Sequence, residues 1–243
     1  MPTLVFQLQG VLSSWGVAAV GEYRGSDHYP SESALIGLIS AALGIRRDQD
    51  DQQRAIAESY GYAVGVLSAG ELLRDYHTAQ VPGQAALKKR PHRTRSDELC
   101  VGKKQLNTVL STRDYRQNGA YLIAVQSSEA APYSLDELAA ALAKPRFTLY
   151  LGRKSCPPSA PLMPRVLEED NAQTAFSRYL TDFAAISMEN RDRYGNLPVA
   201  PLGEIDRLVW GKGIASGVEQ ADLTTTRKDR LISRRGWQFG DRT

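Results

Sequence analysis

The chain has 243 residues, 42% of them hydrophobic and 23% charged, with a net charge of +3. That length allows one large domain or two small ones around a buried core, and no apolar run reaches the roughly 20 residues that a membrane helix needs. Two cysteines, Cys100 and Cys156, are too few for a disulfide framework or a zinc set and read as free thiols in a reducing cytoplasm.

In chain order, the N-terminus MPTLVFQLQG lacks the basic segment of a signal peptide. Thr3 to Gln9 alternates as a half-buried strand does, with Leu4, Phe6 and Leu8 on one face. A loop rich in Gly and Ser follows, carrying Trp15, Tyr23 and Arg24. Pro30-Ser31 opens a helix over Glu32–Leu43, which Gly44 stops. Asp51 to Ser59 reads as a second, short helix and Tyr62 to Leu67 as a strand weakened by Gly65.

Strand-like stretches at 72–81 and 106–115 flank a polar, basic segment. Its apolar content is too low for a core of its own, so it reads as a mobile insertion or an arm that a partner orders. Ala120 to Gln126 resumes the core as a strand. Ser134 and Glu137 form a capping box for a helix ending at Ala143, before Pro145. Arg146–Gly152 is expected as the closing strand. Strand, helix, strand, insertion, strand, helix and strand together predict an α+β fold: a ferredoxin-like, RRM-like βαββαβ domain over 1–156 with a basic arm inserted at about 80–112. Pro157, Pro158, Pro161 and Pro164 stiffen the connection to 157–243, which reads as a small, irregular β-rich region.

Charge is unevenly spread. Gln84–Asn118 carries nine Lys or Arg against three acids, Lys144–Arg165 five against none, and Arg227–Arg242 six against two. Those windows hold +15, so the rest of the chain holds −12. Segregation of this kind is the footprint of a phosphate-rich partner. Basic residues interleaved with rings favour single-stranded nucleic acid, cations holding the backbone and rings stacking on unpaired bases. The arm offers Lys88, Lys89, Arg90, His92, Arg93, Lys103, Lys104, Arg113 and Tyr115.

Gly152 beside Arg153 and Lys154 allows either close backbone approach to a phosphate or an ordinary turn with solvated charges. Arg146 and Tyr150 extend that segment. Ser33, at the first helix start, offers a hydroxyl beside unpaired N–H donors, although capping alone also explains it. Arg74-Asp75-Tyr76-His77 places a cation, a ring and an imidazole together. It reads either as a ribonuclease acid–base pair built on Tyr76 and His77, or as a strand without chemistry. No Walker loop, HExxH pair or paired-carboxylate site is present, so neither a cofactor nor a metal is expected. Nor is there an evident helix-turn-helix to support a DNA-binding regulator.

Leu8–Gly16, Pro30–Leu38 with Leu43–Ile45, Leu73–Thr78 and Lys144–Pro157, in this order, resemble the CasD family, the RAMP-superfamily subunit of type I-E CRISPR Cascade; Ile232–Trp237 is a fainter echo. The resemblance implies a ferredoxin-like RNA-binding fold whose thumb coincides with the basic arm. It also implies a non-catalytic role: gripping the 5′ handle of the CRISPR RNA and capping one end of the backbone filament. Its partners would be the backbone subunit CasC, the large subunit CasA and, indirectly, target DNA. A different subunit, CasE, processes the guide in such systems. A related type I-C subunit is a metal-independent ribonuclease, which keeps repeat-RNA cleavage as the alternative. RNA contacts are then expected from Trp15, Arg24, Ser33, Arg74, Tyr150, Gly152, Arg153 and Lys154 together with Arg146 and the arm residues.

Overall fold

The structure is a computed structural model that describes residues 1–19, 21–88, 93–189, 203–233 and 238–242, with side chains up to residue 227. Its strands and helices are, in order, β1 (Thr3–Ser13), β2 (Trp15–Gly16), β3 (Tyr23–Arg24), β4 (Ser26–Asp27), α1 (Glu32–Leu43), α2 (Asp50–Ser59), β5 (Tyr60–Ser68) and β6 (Glu71–Pro82). The short helices α3 (Gln84–Leu87) and α4 (Arg95–Leu99) precede β7 (Leu106–Ser127) and α5 (Leu135–Ala143). The chain then forms β8 (Arg165–Leu167), α6 (Ala172–Glu189), β9 (Arg207–Trp210), β10 (Arg227–Ser233) and β11 (Gln238–Arg242).

The architecture is mixed α/β around a mainly antiparallel sheet of order β8-β1-β7-β5-β9. β7 lies between β1 and β5, so Val125 faces Leu4 on one side and Tyr62 on the other. Alternation along these strands feeds two cores. Leu4, Phe6 and Leu8 join Val64, Ile123 and Val125 beneath the apolar faces of α1 and α5. Val5, Ala63, Leu122 and Ala124 point the other way, against Ala175, Phe176, Tyr179 and Phe183 of α6. The helix signals hold at residue level: Ser31 accepts from the Ala34 N–H, Gly44 closes α1 with φ of 81°, and Ser134 and Glu137 form the capping box of α5.

Two expectations about the sheet are corrected. Arg146–Gly152 is not its closing strand, although Leu149 and Leu151 are buried. Its backbone bonds elsewhere: Arg146 N–H donates to the Ala42 carbonyl, Phe147 N–H to that of Ala41, and Leu151 N–H to that of Cys156. Alternation there served burial rather than a ladder, and β8 takes the place beside β1. Residues 157–243 are not a separate β-rich region. β8 and β9 extend the main sheet, and the 18-residue α6 covers its second face. Gln126, 1% exposed, stitches this half to the sheet by donating to Thr3 Oγ1 and the Asp170 carbonyl and accepting from the Ala215 N–H.

β7 continues beyond the core as one side of a ribbon. β6 pairs with it antiparallel from Glu71–Gln117 to Pro82–Leu106, a ladder about 35 Å long at strand rise. The changeover from β5 to β6 falls at Asn118, whose φ is 57°, and at Gly70, where a Cβ would sit 2.3 Å from the Gln117 carbonyl oxygen. A lock at the root fixes the ribbon's exit. Asp114, buried, accepts from Tyr23 Oη and from Arg74 Nε at 2.9 Å, and β3 lies alongside at Thr112 and Arg113.

Replacing Gln126 with Met keeps the volume but leaves the Ala215 N–H and the Asp170 carbonyl without their partner. Urea denaturation should register a loss of about 2–3 kcal/mol from such orphaned buried groups; an unchanged midpoint would show that the stitch contributes nothing. The Asp114 carboxyl is held below its ordinary 3.8, chiefly by the Arg74 hydrogen bonds and also by Tyr23, against burial that raises it. Its contribution is therefore complete above that ordinary value and disappears as the pH falls through the depressed one. Below about pH 4, ribbon amides should lose protection relative to their intrinsic exchange rates, and Asp114→Asn should flatten that pH dependence.

Candidate nucleic-acid interface

A cleft of about 710 Å³ runs beside α1, within the range of small-ligand sites. Ala34, Gly37, Leu38 and Ala41 form its floor, because positions i, i+3, i+4 and i+7 share one helix face. Ser31 and Ser33 stand at the α1 start, Gly16–Ala18 form one wall, and Thr148–Tyr150 with Gly152–Lys154 form another. Among the described residues three cations line the cleft, Arg47, Arg153 and Lys154, and no Asp or Glu does. In a low-dielectric recess an all-cationic lining attracts an anion more strongly than the same charges would in open water.

The wall at Gly152 has a local cause. Leu149 and Leu151 are anchored in the core, and Leu151 exchanges backbone bonds with Ser14 and Cys156. The chain must turn sharply there: Gly152 has φ of 86°, and a Cβ would come within 1.8 Å of the Ser14 carbonyl oxygen. Only glycine fits. Cys156 closes the loop, donating its N–H to the Arg153 carbonyl, and burial pushes its thiol pKa up.

Arg153 is held from two sides. Its guanidinium lies 4.6 Å from the centre of the Tyr115 ring, and Nη2 donates to the Arg24 carbonyl at 3.3 Å. Nη1 is shielded and has no hydrogen-bond partner among the described residues. A stacked guanidinium loses little further freedom when an oxyanion arrives. Lys154, beside it, is exposed.

The expected contacts therefore divide. Ser33, Tyr150, Gly152, Arg153 and Lys154 meet at the cleft, with Arg24 and Tyr115 next to it through Arg153. Arg113 lies opposite Arg24 in the β3–β7 pairing. Lys88, Arg93, Lys103 and Lys104 are exposed at the far end of the ribbon, about 30 Å from Tyr115 along the strands. Lys89, Arg90 and His92 lie outside the described residues. No Lys or Arg occurs in 75–82 or 106–112, so the basic window is two electropositive regions rather than one track.

One expected contact fails on geometry, and two others lie off the cleft on exposed side chains. Trp15 is 2% exposed and packs edge-on against Tyr121 at 5.6 Å, so no base can stack on it. Arg74 is committed to Asp114 and lies over Tyr23. Arg146 packs its aliphatic stem at Gly44 and lines no part of the cleft. The two residues of the alternative ribonuclease pair do not share a face. Tyr76 and His77 are consecutive in β6 and face opposite sides of the ribbon. His77 Nδ1 instead lies 3.7 Å from Asp75.

Arg47 was missed by sequence reasoning. It follows α1 by a few residues in an ordinary charged stretch, and only tertiary structure brings it to the cleft. Among the described residues, no group of three or more His, Cys, Asp or Glu could hold a metal ion, and no helix is long and apolar enough to cross a membrane.

The family model described as CRISPR-associated protein (Cas_Cas5) matches residues 3–243. The chain is 32% identical over 178 residues to the CRISPR system Cascade subunit CasD of Escherichia coli (strain K12), covering 72% of this chain and 76% of that protein. It superposes with a TM-score of 0.50 on a chain of a structure called CRISPR RNA-guided surveillance complex, at 30% identity over 68% of this chain and 64% of that one, just under two thirds of its length. A crystal structure of a Cas protein shares the fold over 99% of this chain and 91% of its own, with a TM-score of 0.54 at 23% identity. A family match over nearly the whole chain, joined by a relative above 30% identity across most of it, places this protein in the CasD/Cas5 family of CRISPR-associated proteins.

Proposed function

We propose that this chain is the RNA-binding subunit of a Cascade-type surveillance complex that grips the 5′ handle of the guide RNA without cutting it. The observation that carries this reading is the cleft: three cations and no acid among the described residues, and one guanidinium already stacked on a ring. Phosphates would lie against Arg47, Arg153, Lys154 and the α1 start, and an unpaired base against Tyr150 or the apolar floor. Family membership and the likeness to a chain of a surveillance complex support an assembly of this kind.

The fold supports the same reading. β8-β1-β7-β5, with α1 between β1 and β5 and α5 between β7 and β8, follows the order of a split βαββαβ unit. The β6–β7 ribbon would then be the stem of an inserted thumb, and its cationic end falls within the arm expected at about 80–112. That end would meet the adjacent backbone subunit and the guide passing beneath it, and the complex as a whole would present the guide to target DNA.

Replacing Arg153 and Lys154 with Ala should weaken binding to single-stranded repeat RNA and reduce the slope of log K against log salt by about 1.4, two phosphate contacts' worth. An unchanged slope would remove the cleft wall from the interface. Repeat RNA incubated with the purified protein in EDTA should remain intact. Specific cleavage abolished by His77→Ala would replace this reading with the ribonuclease.

A further inference from the structure

Arg227 stands at the start of β10 and belongs to the third basic window, yet its guanidinium is turned inward. Nη2 pairs with the Asp27 carboxylate, the ring of Tyr29 lies 4.9 Å from its central carbon, and the two ion-paired side chains are only 17% and 27% exposed. Its charge is therefore engaged within the protein, some 200 residues along the chain from its partners.

What those partners support is the cleft. Asp27 belongs to β4, where it faces Trp15 of β2 while Ser26 faces Gly16. Ser26 Oγ also accepts the Trp15 N–H at 2.9 Å. β2 leads directly into Gly16–Ala18, one wall of the cleft. Tyr29 lies two residues before Ser31, which caps α1 and lines the same cleft. A two-residue ladder has little stability of its own, so the wall needs an external hold. β10 itself packs against α1 and α2, which gives Arg227 a fixed base from which to grip both segments.

We infer that Arg227 is a positioning residue: from the C-terminal hairpin it holds the β2–β4 wall and the approach to α1 in the RNA-binding arrangement, and it raises RNA affinity without touching RNA. This rests on the cleft being the RNA site, while its structural half can be measured without RNA. Charge reading alone assigns Arg227 to phosphate contact, and the two roles leave different signatures.

The test compares the full-length protein with Arg227→Ala, Asp27→Asn and the swapped pair Asp27→Arg with Arg227→Asp. One readout is hydrogen exchange at the amides of residues 16–18 in the free protein. The other is the affinity of a short fluorescent single-stranded RNA oligomer across a salt series. Both single variants should speed exchange at 16–18 by about 10-fold or more, as local opening does. Affinity should fall by about 3- to 10-fold with the salt slope unchanged, and the swapped pair should recover part of both losses. Unchanged exchange in both single variants overturns the inference. So does a slope reduced by about 0.7 in Arg227→Ala, the mark of a direct phosphate contact. Should Arg227→Ala lose its fold, Asp27→Asn decides, because it removes the pair and leaves the hairpin residue in place. If the wild-type protein binds no RNA, the exchange readout still judges the hold, and the failure belongs to the proposed function.

Discussion

One uninterrupted strand joins the two parts of this molecule. The 22 residues of β7 supply the middle of the main sheet and then one side of the projecting ribbon. Because the strand does not end where the core ends, the ribbon inherits its direction from a ladder buried in the core. Asn118 and Gly70 provide the conformational freedom for the change of neighbour, and the Asp114 lock with Tyr23 and Arg74 sets the angle at which the ribbon leaves. A two-stranded ribbon alone is marginal in water; anchored in this way, it can carry charge about 30 Å from the cleft.

The electrostatics follow from that geometry. The cations that crowd one another in the sequence are separated in space into a cleft group and a ribbon-end group, with a stretch free of Lys and Arg between them. The cleft group is the better organised. Arg153 is stacked on Tyr115 and bonded to the Arg24 carbonyl, so less ordering remains for a ligand to supply than with exposed lysines. Other basic residues, Arg74 and Arg227 among them, spend their charge on buried or half-buried aspartates. A raw count of Lys and Arg therefore overstates the surface available to an anion.

Much of this was legible in the residues. The Ser31 cap, the Gly44 stop and the Ser134–Glu137 box located α1 and α5 because capping is local chemistry. The strand-like stretches at 106–115 and 120–126 were both visible, but not their union in one strand, because Asn118 takes a left-handed step between them. The α6 pattern was present in Ala172, Ala175, Phe176, Tyr179, Phe183 and Ile186 and was overlooked among glycines and threonines nearby. At the site, Gly152, Arg153 and Lys154 are contiguous and could be found. The burial of Trp15, the commitment of Arg74 and the arrival of Arg47 depend on residues far away in the chain, which no local pattern encodes.

The central claim is that RNA lies in the α1 cleft against the Gly152 wall. Ultraviolet cross-linking of the protein to single-stranded repeat RNA, with the joined peptides identified by mass spectrometry, tests it most directly. Cross-links should fall on the peptide containing Tyr150 and Lys154 and on that containing Tyr115. Cross-links confined to the ribbon end, or to the α6 face of the sheet, would contradict it.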